Sequence, residues 1–158
     1  MMYFVAALVA GCLALYAGAY WFLKNPVLFA AAPVPAAAKA EAGRLRAHVE
    51  FLAARQPARA MHNIDALNAA ADYVEAQFRQ AGCQPRRQTF DVGGIDYPNI
   101  VCSMGPRDSP RVVIGGHYDV AGDHNPGADD NASAVAGVLE LARLINAAKP
   151  DLKHRLDL

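Results

Sequence analysis

Histidine and aspartate side chains follow directly on an apolar run in the second half of the chain. The run ends at Gly115-Gly116, His117 and Asp119 come next, and Asp129 and Asp130 follow a short polar loop. Imidazole and carboxylate groups are ligands that zinc takes in proteins. Open α/β sheets gather their ligands beyond the carboxyl ends of the strands. The spacing therefore predicts part of a hydrolytic metal site, where a strand ends and a helix begins.

Each half of this motif also has an ordinary structural interpretation. His117 could be a hydrogen-bonded turn histidine, and Asp130 or Asn131 could simply cap the following helix. Capping does not explain two adjacent aspartates after the tight turn Pro126-Gly127-Ala128, because neighbouring carboxylates repel each other. A divalent cation offsets that repulsion, so the residues favour the metal interpretation.

Longer segments around the motif resemble a known family. They are His-Tyr-Asp over 117–119, Pro-Gly-Ala-Asp-Asp-Asn-Ala-Ser over 126–133 and Val-Leu-Glu-Leu-Ala-Arg-Leu-Ile over 138–145. Together they resemble the bacterial leucyl aminopeptidase and aminopeptidase Y family of co-catalytic di-zinc exopeptidases. The resemblance extends over residues 40–158. A related amidohydrolase and carboxypeptidase family also uses His-x-Asp, but it continues differently and ranks lower.

The resemblance implies roles for three side chains. His117 would be a ligand of one zinc ion, and Asp119 would be the carboxylate that orients its ring. Asp130 would be the carboxylate that bridges the two Zn²⁺ ions of a complete site. Asp129 would have at most a supporting role. The implied substrates are peptides.

The resemblance also implies a general base that this chain lacks. In the family, a glutamate from a Glu-Glu pair at the end of the next strand takes a proton from the attacking water. The chain contains no Glu-Glu pair, and its glutamates fall in segments that the pattern predicts as helices: Glu41, Glu50, Glu75 and Glu140. We therefore expect a truncated domain that is inactive as this chain alone.

Hydrophobic periodicity predicts an alternation of helices and strands after the first 38 residues. The implied fold class is α/β, a three-layer sandwich with a mixed, largely parallel central sheet of the zinc exopeptidase type. It is incomplete here and preceded by one transmembrane helix. The predicted elements are helices from about 37, over 63–82 and over 131–148, a hairpin of 88–92 with 95–104, a strand buried on both faces over 111–114, and a strand from 154.

The first 23 residues carry no charged side chain. As a helix they would span roughly 30 Å, about one hydrocarbon thickness. Residues 1–24 are therefore predicted to be a transmembrane anchor that contacts the lipid bilayer through residues 3–23, with a cleaved signal peptide as the alternative. An Ala/Pro-rich linker follows over 25–38, and the zinc peptidase part over 39–158. Lys24 weakly favours a cytoplasmic location, whereas the resemblance implies a periplasmic or extracellular one, which we adopt.

Composition narrows the possible functions. The chain has 15 basic and 15 acidic residues, which argues against nucleic acid as a partner, because such binding needs a basic surface. Cys83 and Cys102 could form a bridge or stay reduced. We predict the N-terminal fragment of a membrane-anchored, zinc-dependent aminopeptidase. The alternative is a non-catalytic, peptidase-like membrane interaction module, which would need a stable fold without further strands.

Overall fold

The computed structural model describes residues 2–24, 39–54 and 57–158, with side chains from residue 9 onward. The chain divides into two compact units, Met1–Val34 and Pro35–Leu158. The predicted linker over 25–38 lies outside the described residues. Each unit is treated by itself below.

The first unit contains one helix, α1 (Met2–Lys24). Among the described residues, no helix combines the length and the apolarity that crossing a membrane requires. The transmembrane anchor over residues 1–24 stays a prediction.

The second unit alternates helices and strands, as the periodicity predicts. Its elements in chain order are α2 (Ala42–Ala53), α3 (Ile64–Gln80), β1 (Arg86–Val92), β2 (Ile95–Val101), β3 (Ser103–Met104), β4 (Arg111–Val113), α4 (Ser133–Ala148) and β5 (Arg155–Asp157). The predicted helices, the hairpin and the last strand are confirmed to within a few residues at their ends, the usual uncertainty of such boundaries.

The strands form a mixed arrangement. β1 and β2 pair antiparallel through Gly93 and Gly94, whose positive φ angles of 64° and 86° suit the tight hairpin turn. β5 lies between β3, antiparallel to it, and β4, parallel to it. Cys102 and Leu158 exchange backbone hydrogen bonds of 2.9 and 2.8 Å, which continue the β3–β5 ladder. The mixed character is confirmed, but the described strands do not form a largely parallel sheet: β1 and β2 form a separate two-stranded sheet, and the three-stranded sheet has one antiparallel and one parallel pair.

The helices bury one stripe each against the sheet and against one another. Their apolar residues recur every three or four positions, which places them on one face of each helix. Cys83 and Cys102 lie within this core and form a disulfide, which settles the question that the sequence left open. The core cluster comprises Leu52, Ala70, Val74, Phe78, Ala81, Cys83, Cys102, Ala132, Val135, Leu139, Ala142, Leu156 and Leu158.

Strand β4 differs from the prediction. The sequence indicates a strand buried on both faces, but Val112, Val113 and Ile114 are 45%, 70% and 41% exposed. Successive side chains of a strand point to opposite faces, so both faces of β4 are open. The reason is that, among the described strands, β4 pairs with β5 alone and forms the edge of the sheet. An apolar run gives β propensity, whereas burial depends on neighbours.

A buried carboxylate ties α2 to α4. Glu140 is 2% exposed and accepts two hydrogen bonds from the Arg143 guanidinium, at 2.8 and 2.7 Å. It also accepts the backbone N–H of Glu41, immediately before α2, at 2.9 Å. The hydrogen bond from Arg143 is the main cause that holds the pKa of Glu140 below its ordinary value.

Replacing Glu140 by Gln should destabilise the second unit in a pH-dependent way. Because folding lowers this pKa, the charged group contributes stability above its unfolded-state pKa, and that contribution is lost as pH falls through the folded-state value. We expect E140Q to lower the free energy of unfolding by about 1–3 kcal/mol near neutral pH. Urea unfolding should give a lower midpoint for E140Q than for the parent protein at neutral pH. At strongly acidic pH the two midpoints should converge.

The matched control is E50Q, which removes an exposed carboxylate whose partner Arg46 lies 2.7 Å away on the same helix. It should leave the unfolding midpoint unchanged, because exposed helical ion pairs contribute little. An equal loss for E140Q at both pH values would contradict the assigned role.

Candidate metal centre

The position of His117 depends on two glycines. After β4, the Ile114 N–H still bonds to the Asp157 carbonyl at 3.0 Å, and the chain then leaves the sheet through Gly115 and Gly116. A Cβ on Gly116 would lie 2.9 Å from the Cβ of Ala134 in the first turn of α4. Only glycine permits this close approach. The end of the strand therefore packs directly on the start of the helix, which brings His117 next to the turn before α4.

The structure brings the three predicted site residues together. Nε2 of His117 lies 2.9 Å from Oδ1 of Asp130, and Nδ1 lies 3.1 Å from Oδ1 of Asp119. Each ring nitrogen thus faces one carboxylate. The side chains are 50%, 52% and 70% exposed for His117, Asp119 and Asp130, so solvent reaches the site.

An irregular turn, Ala128–Ala132, presents Asp130. Gly127 precedes it with φ of 61°, and the Gly127 N–H donates to Oδ1 of Asn125 at 2.9 Å. The peptide bond between Asp130 and Asn131 is cis. Oδ1 of Asn131 accepts the Ala134 N–H at 3.2 Å. Of the two capping candidates, Asp130 and Asn131, it is therefore Asn131 that bonds to the start of α4. The Asp130 carboxylate faces His117 instead.

The neighbouring Asp129 takes no part in this contact. Its backbone carbonyl accepts the Ser133 hydroxyl at 2.9 Å, across the junction between the irregular turn and α4. This is a contact of the turn's backbone, in keeping with the supporting role expected of Asp129.

Between His117 and Asp119, the Tyr118 side chain points the other way. Its hydroxyl donates to the carbonyl of Pro98 in β2, and burial raises the pKa of Tyr118. The Tyr118 carbonyl accepts Nε of Arg59 at 2.7 Å. Tyr118 thus anchors the motif to the sheet, while the residues on either side of it face the site.

Sequence reasoning missed Arg59. It falls in a break between two helices, and Arg59 is 1% exposed with its guanidinium donating to backbone carbonyls of distant segments. A carbonyl acceptor carries no side-chain identity, so no motif marks the partners of Arg59. The available signal is weak: an arginine placed between Ala58 and Ala60, small apolar residues that are themselves buried.

The donor types fit zinc, and their number is small. His117 and Asp130 would hold the ion, with Asp119 orienting the ring, since imidazole and carboxylate are both zinc ligands. Within the ranges 2–24, 39–54 and 57–158, no group of three or more His, Cys, Asp or Glu side chains that could hold a metal ion is found. Stable protein zinc sites use three or four protein ligands. His117 and Asp130 alone fall short of that number.

The site opens onto an apolar hollow of about 520 Å³. His117 and Asp119 lie at its edge, and its walls include Phe90, Ile114 and Val138. The hollow lies beside the exposed face of β4. On this side the candidate site is bordered by apolar surface.

Gly127 offers a test of how tightly the turn before Asp130 is packed. A Cβ there would lie 2.1 Å from Cγ1 of Val120 and 2.8 Å from Nη2 of Arg59, and the positive φ adds backbone strain. We expect Gly127→Ala to lower the free energy of unfolding by about 1–3 kcal/mol. Thermal and urea unfolding of the variant would measure this loss.

Gly137→Ala is the matched control, since nothing lies within 4 Å of the Cβ it would add. Gly137 lies inside α4, where alanine is the better helix former by about 1 kcal/mol. This variant should be at least as stable as the parent protein. A Gly127→Ala protein as stable as the parent would show that the turn has room to adjust.

Residues 99–158 match the model of Peptidase family M28. An uncharacterised protein of Escherichia coli, YfbL, is 41% identical over 114 residues, which are 68% of this chain and 35% of YfbL. Leupeptin-inactivating enzyme 1 of Streptomyces exfoliatus is 30% identical over 129 residues, 80% of this chain and 29% of that enzyme. The chain spans about a third of the length of the curated relatives it matches.

Solved structures share the fold. LapA aminopeptidase of Legionella pneumophila superposes with a TM-score of 0.67 at 22% identity, covering 82% of this chain and 39% of LapA. Porphyromonas gingivalis glutaminyl cyclase superposes with a TM-score of 0.60 at 26% identity, covering 75% of this chain and 44% of the cyclase. The chain therefore shares part of its α/β fold with these proteins.

Proposed function

We propose that residues 39–158 are the N-terminal part of a zinc-dependent aminopeptidase domain of the leucyl aminopeptidase and aminopeptidase Y type. One observation carries the proposal: the His117 ring is placed between two carboxylates, Asp119 on Nδ1 and Asp130 on Nε2. The match of residues 99–158 to a peptidase family supports it, as does a relative named for inactivating leupeptin.

Each of the three side chains has a defined part in this proposal. The Asp119 carboxylate accepts a hydrogen bond from the Nδ1–H of His117. This bond selects the tautomer whose Nε2 lone pair is free for a metal ion. Asp130 supplies negative charge beside that nitrogen. When bound, zinc would polarise the scissile carbonyl of a peptide and activate water for attack.

The chain's own glutamates do not serve as the base. Glu41 and Glu50 pair with Arg44 and Arg46 on the exposed side of α2. Glu75 of α3 pairs with arginines, and Glu140 holds α4 to α2. We therefore propose that this chain alone does not hydrolyse peptides, since proton removal from water needs a base within reach.

The same fold supports a second chemistry. The glutaminyl cyclase neighbours are slightly more similar in sequence than LapA, at 26% against 22% identity. We rank peptide hydrolysis first because both the matched family and the leupeptin-inactivating relative are named for action on peptides. A non-catalytic interaction module remains the other alternative. It requires that His117 does not bind zinc.

Zinc titration of the full chain tests the proposed site. In ¹⁵N-labelled protein, the ring nitrogens of His117 should shift as zinc is added, with weak affinity because a stable site needs more donors. His117→Ala and Asp130→Asn should abolish the response. Asp129→Asn is the matched control, since it removes the adjacent carboxylate that does not face the ring, and it should leave the response intact.

A His117 signal that ignores zinc would overturn the proposed metal site and favour the interaction module. Tight binding of two zinc ions per chain, measured by calorimetry, would contradict the proposal that the described residues form only part of the site.

We also propose that residues 39–158 work in an oxidising compartment, periplasmic or extracellular. The disulfide between Cys83 and Cys102 supports this, because such bonds persist outside the reducing cytosol. The cysteines are 19 residues apart, and closing a loop of this size in the unfolded chain stabilises a protein by about 3 kcal/mol.

Thiol trapping in the producing cells tests the compartment. When the cells are lysed in a denaturant that contains a maleimide, Cys83 and Cys102 should stay unlabelled unless a reductant is added first, while Cys12, a free and exposed thiol, serves as the internal control. Labelling of all three cysteines without reductant would contradict an oxidising compartment. In vitro, reduction should lower the free energy of unfolding by about 3 kcal/mol.

A further inference from the structure

We propose that Arg59 is a positioning residue that sets the separation between His117 and Asp130. The inference rests on the proposed function, in that these two residues are taken as the metal-facing pair. Arg59 acts through the backbone of the two segments that carry them.

The guanidinium of Arg59 joins both site segments. Nε donates to the carbonyl of Tyr118 at 2.7 Å. Nη2 donates to the carbonyl of Gly127 at 3.2 Å, and Nη1 to that of Pro126 at 3.3 Å. Nη1 also donates to the carbonyl of Leu52, in α2. One planar group therefore holds both site segments to the same helix.

These carbonyls belong to the two backbone segments that carry the site residues. Tyr118 lies between His117 and Asp119, so a bond to its carbonyl fixes the backbone from which both side chains project. Pro126 and Gly127 lead into the irregular turn that presents Asp130. A guanidinium donates in a fixed, planar geometry. Its bonds therefore define both the distance and the relative orientation of the two segments.

The backbone around Arg59 adds to this connection. The Arg59 carbonyl accepts the Val120 N–H at 3.0 Å, and Ala60 forms a parallel bridge with Val120. Nδ2 of Asn63 donates to Oδ1 of Asp123 at 3.1 Å. The bracing segment, Pro57–Asn63, thus bonds at Val120 and at Asp123 to the loop that connects the two halves of the site.

Burial makes the contribution of Arg59 specific to this geometry. Arg59 is 1% exposed, and a buried cation is tolerated only when hydrogen bonds satisfy it. Lysine carries one ammonium, which cannot reach separate carbonyls in one plane as a guanidinium does. Substitution by lysine keeps the charge and removes the geometry, so it separates positioning from charge.

The experiment uses the full chain with Arg59→Lys and Arg59→Met. In the metal-free proteins, we expect the His117 ring nitrogens and the Asp130 carboxyl carbon to shift together, with a larger change for Met than for Lys. The zinc affinity read from His117 should fall by about tenfold, the size typical for residues that support metal ligands. Arg79→Met is the matched control, since Arg79 pairs with Glu75 on α3 and its side chain is 60% exposed; it should change neither readout.

The outcomes separate this inference from the proposed function. If His117 of the parent protein ignores zinc, the metal site fails, while the shifts of the metal-free variants still report whether Arg59 positions the pair. If the parent protein binds zinc and both variants keep its affinity and its His117 and Asp130 signals, the positioning role is overturned. If both variants are unfolded by circular dichroism while the Arg79 control is folded, Arg59 serves general stability, and the inference is equally overturned.

Discussion

A glycine backbone at position 116 packs against the first turn of α4, and the candidate site depends on this close approach. A Cβ at Gly116 would come within 2.9 Å of Ala134, so the strand end and the helix start can touch only where the side chain is missing. This contact places the segment that follows β4 beside the turn that precedes α4. The imidazole of His117 then meets the Asp130 carboxylate without either segment leaving its regular element by more than a short turn.

The layer behind the site is held by interactions that do not touch it. The disulfide from Cys83 to Cys102 links the end of α3 to the sheet, and Glu140 joins α4 to α2 through Arg143 and the backbone before α2. Both lie in or beside the core, where an unpaired charge or a lost covalent link is costly. They fix the frame on which β4 and α4 converge. The site itself is exposed and adds little to that frame.

The sequence predicted features that depend on residues close together in the chain. It missed features that depend on contacts between distant segments. The spacing of His117, Asp119 and Asp130 predicted that these side chains lie close together, and the structure shows them so, because the order of residues at a strand end and a turn is visible in the sequence. The burial of β4 was predicted wrongly, since an apolar strand is buried only if neighbours cover it. The pairing of Cys83 with Cys102 was left open, because the choice depends on the spatial approach of two segments.

Arg59 shows the same limit from another side. Its bonds run to the backbone carbonyls of Leu52, Tyr118, Pro126 and Gly127, and any residue type in those positions would present the same acceptor. The sequence of the partner segments therefore cannot predict the contact. Only the three-dimensional structure reveals that a residue in a helix break lies under both halves of the site.

The contact between His117 and Asp130 is too weak to maintain this arrangement by itself. Both side chains are half exposed or more, and even a fully charged pair at 2.9 Å contributes only about 0–1 kcal/mol in such surroundings. Keeping one more residue's backbone in a single conformation costs about 1–2 kcal/mol. The separation of the two residues must therefore be set by groups that hold the backbone: the close packing at Gly116, the Asn125 side chain on the Gly127 N–H, and the carbonyl bonds of Arg59. The side chains that meet in the site are thus positioned by contacts made away from it, so their relative position does not depend on the weak contact between them.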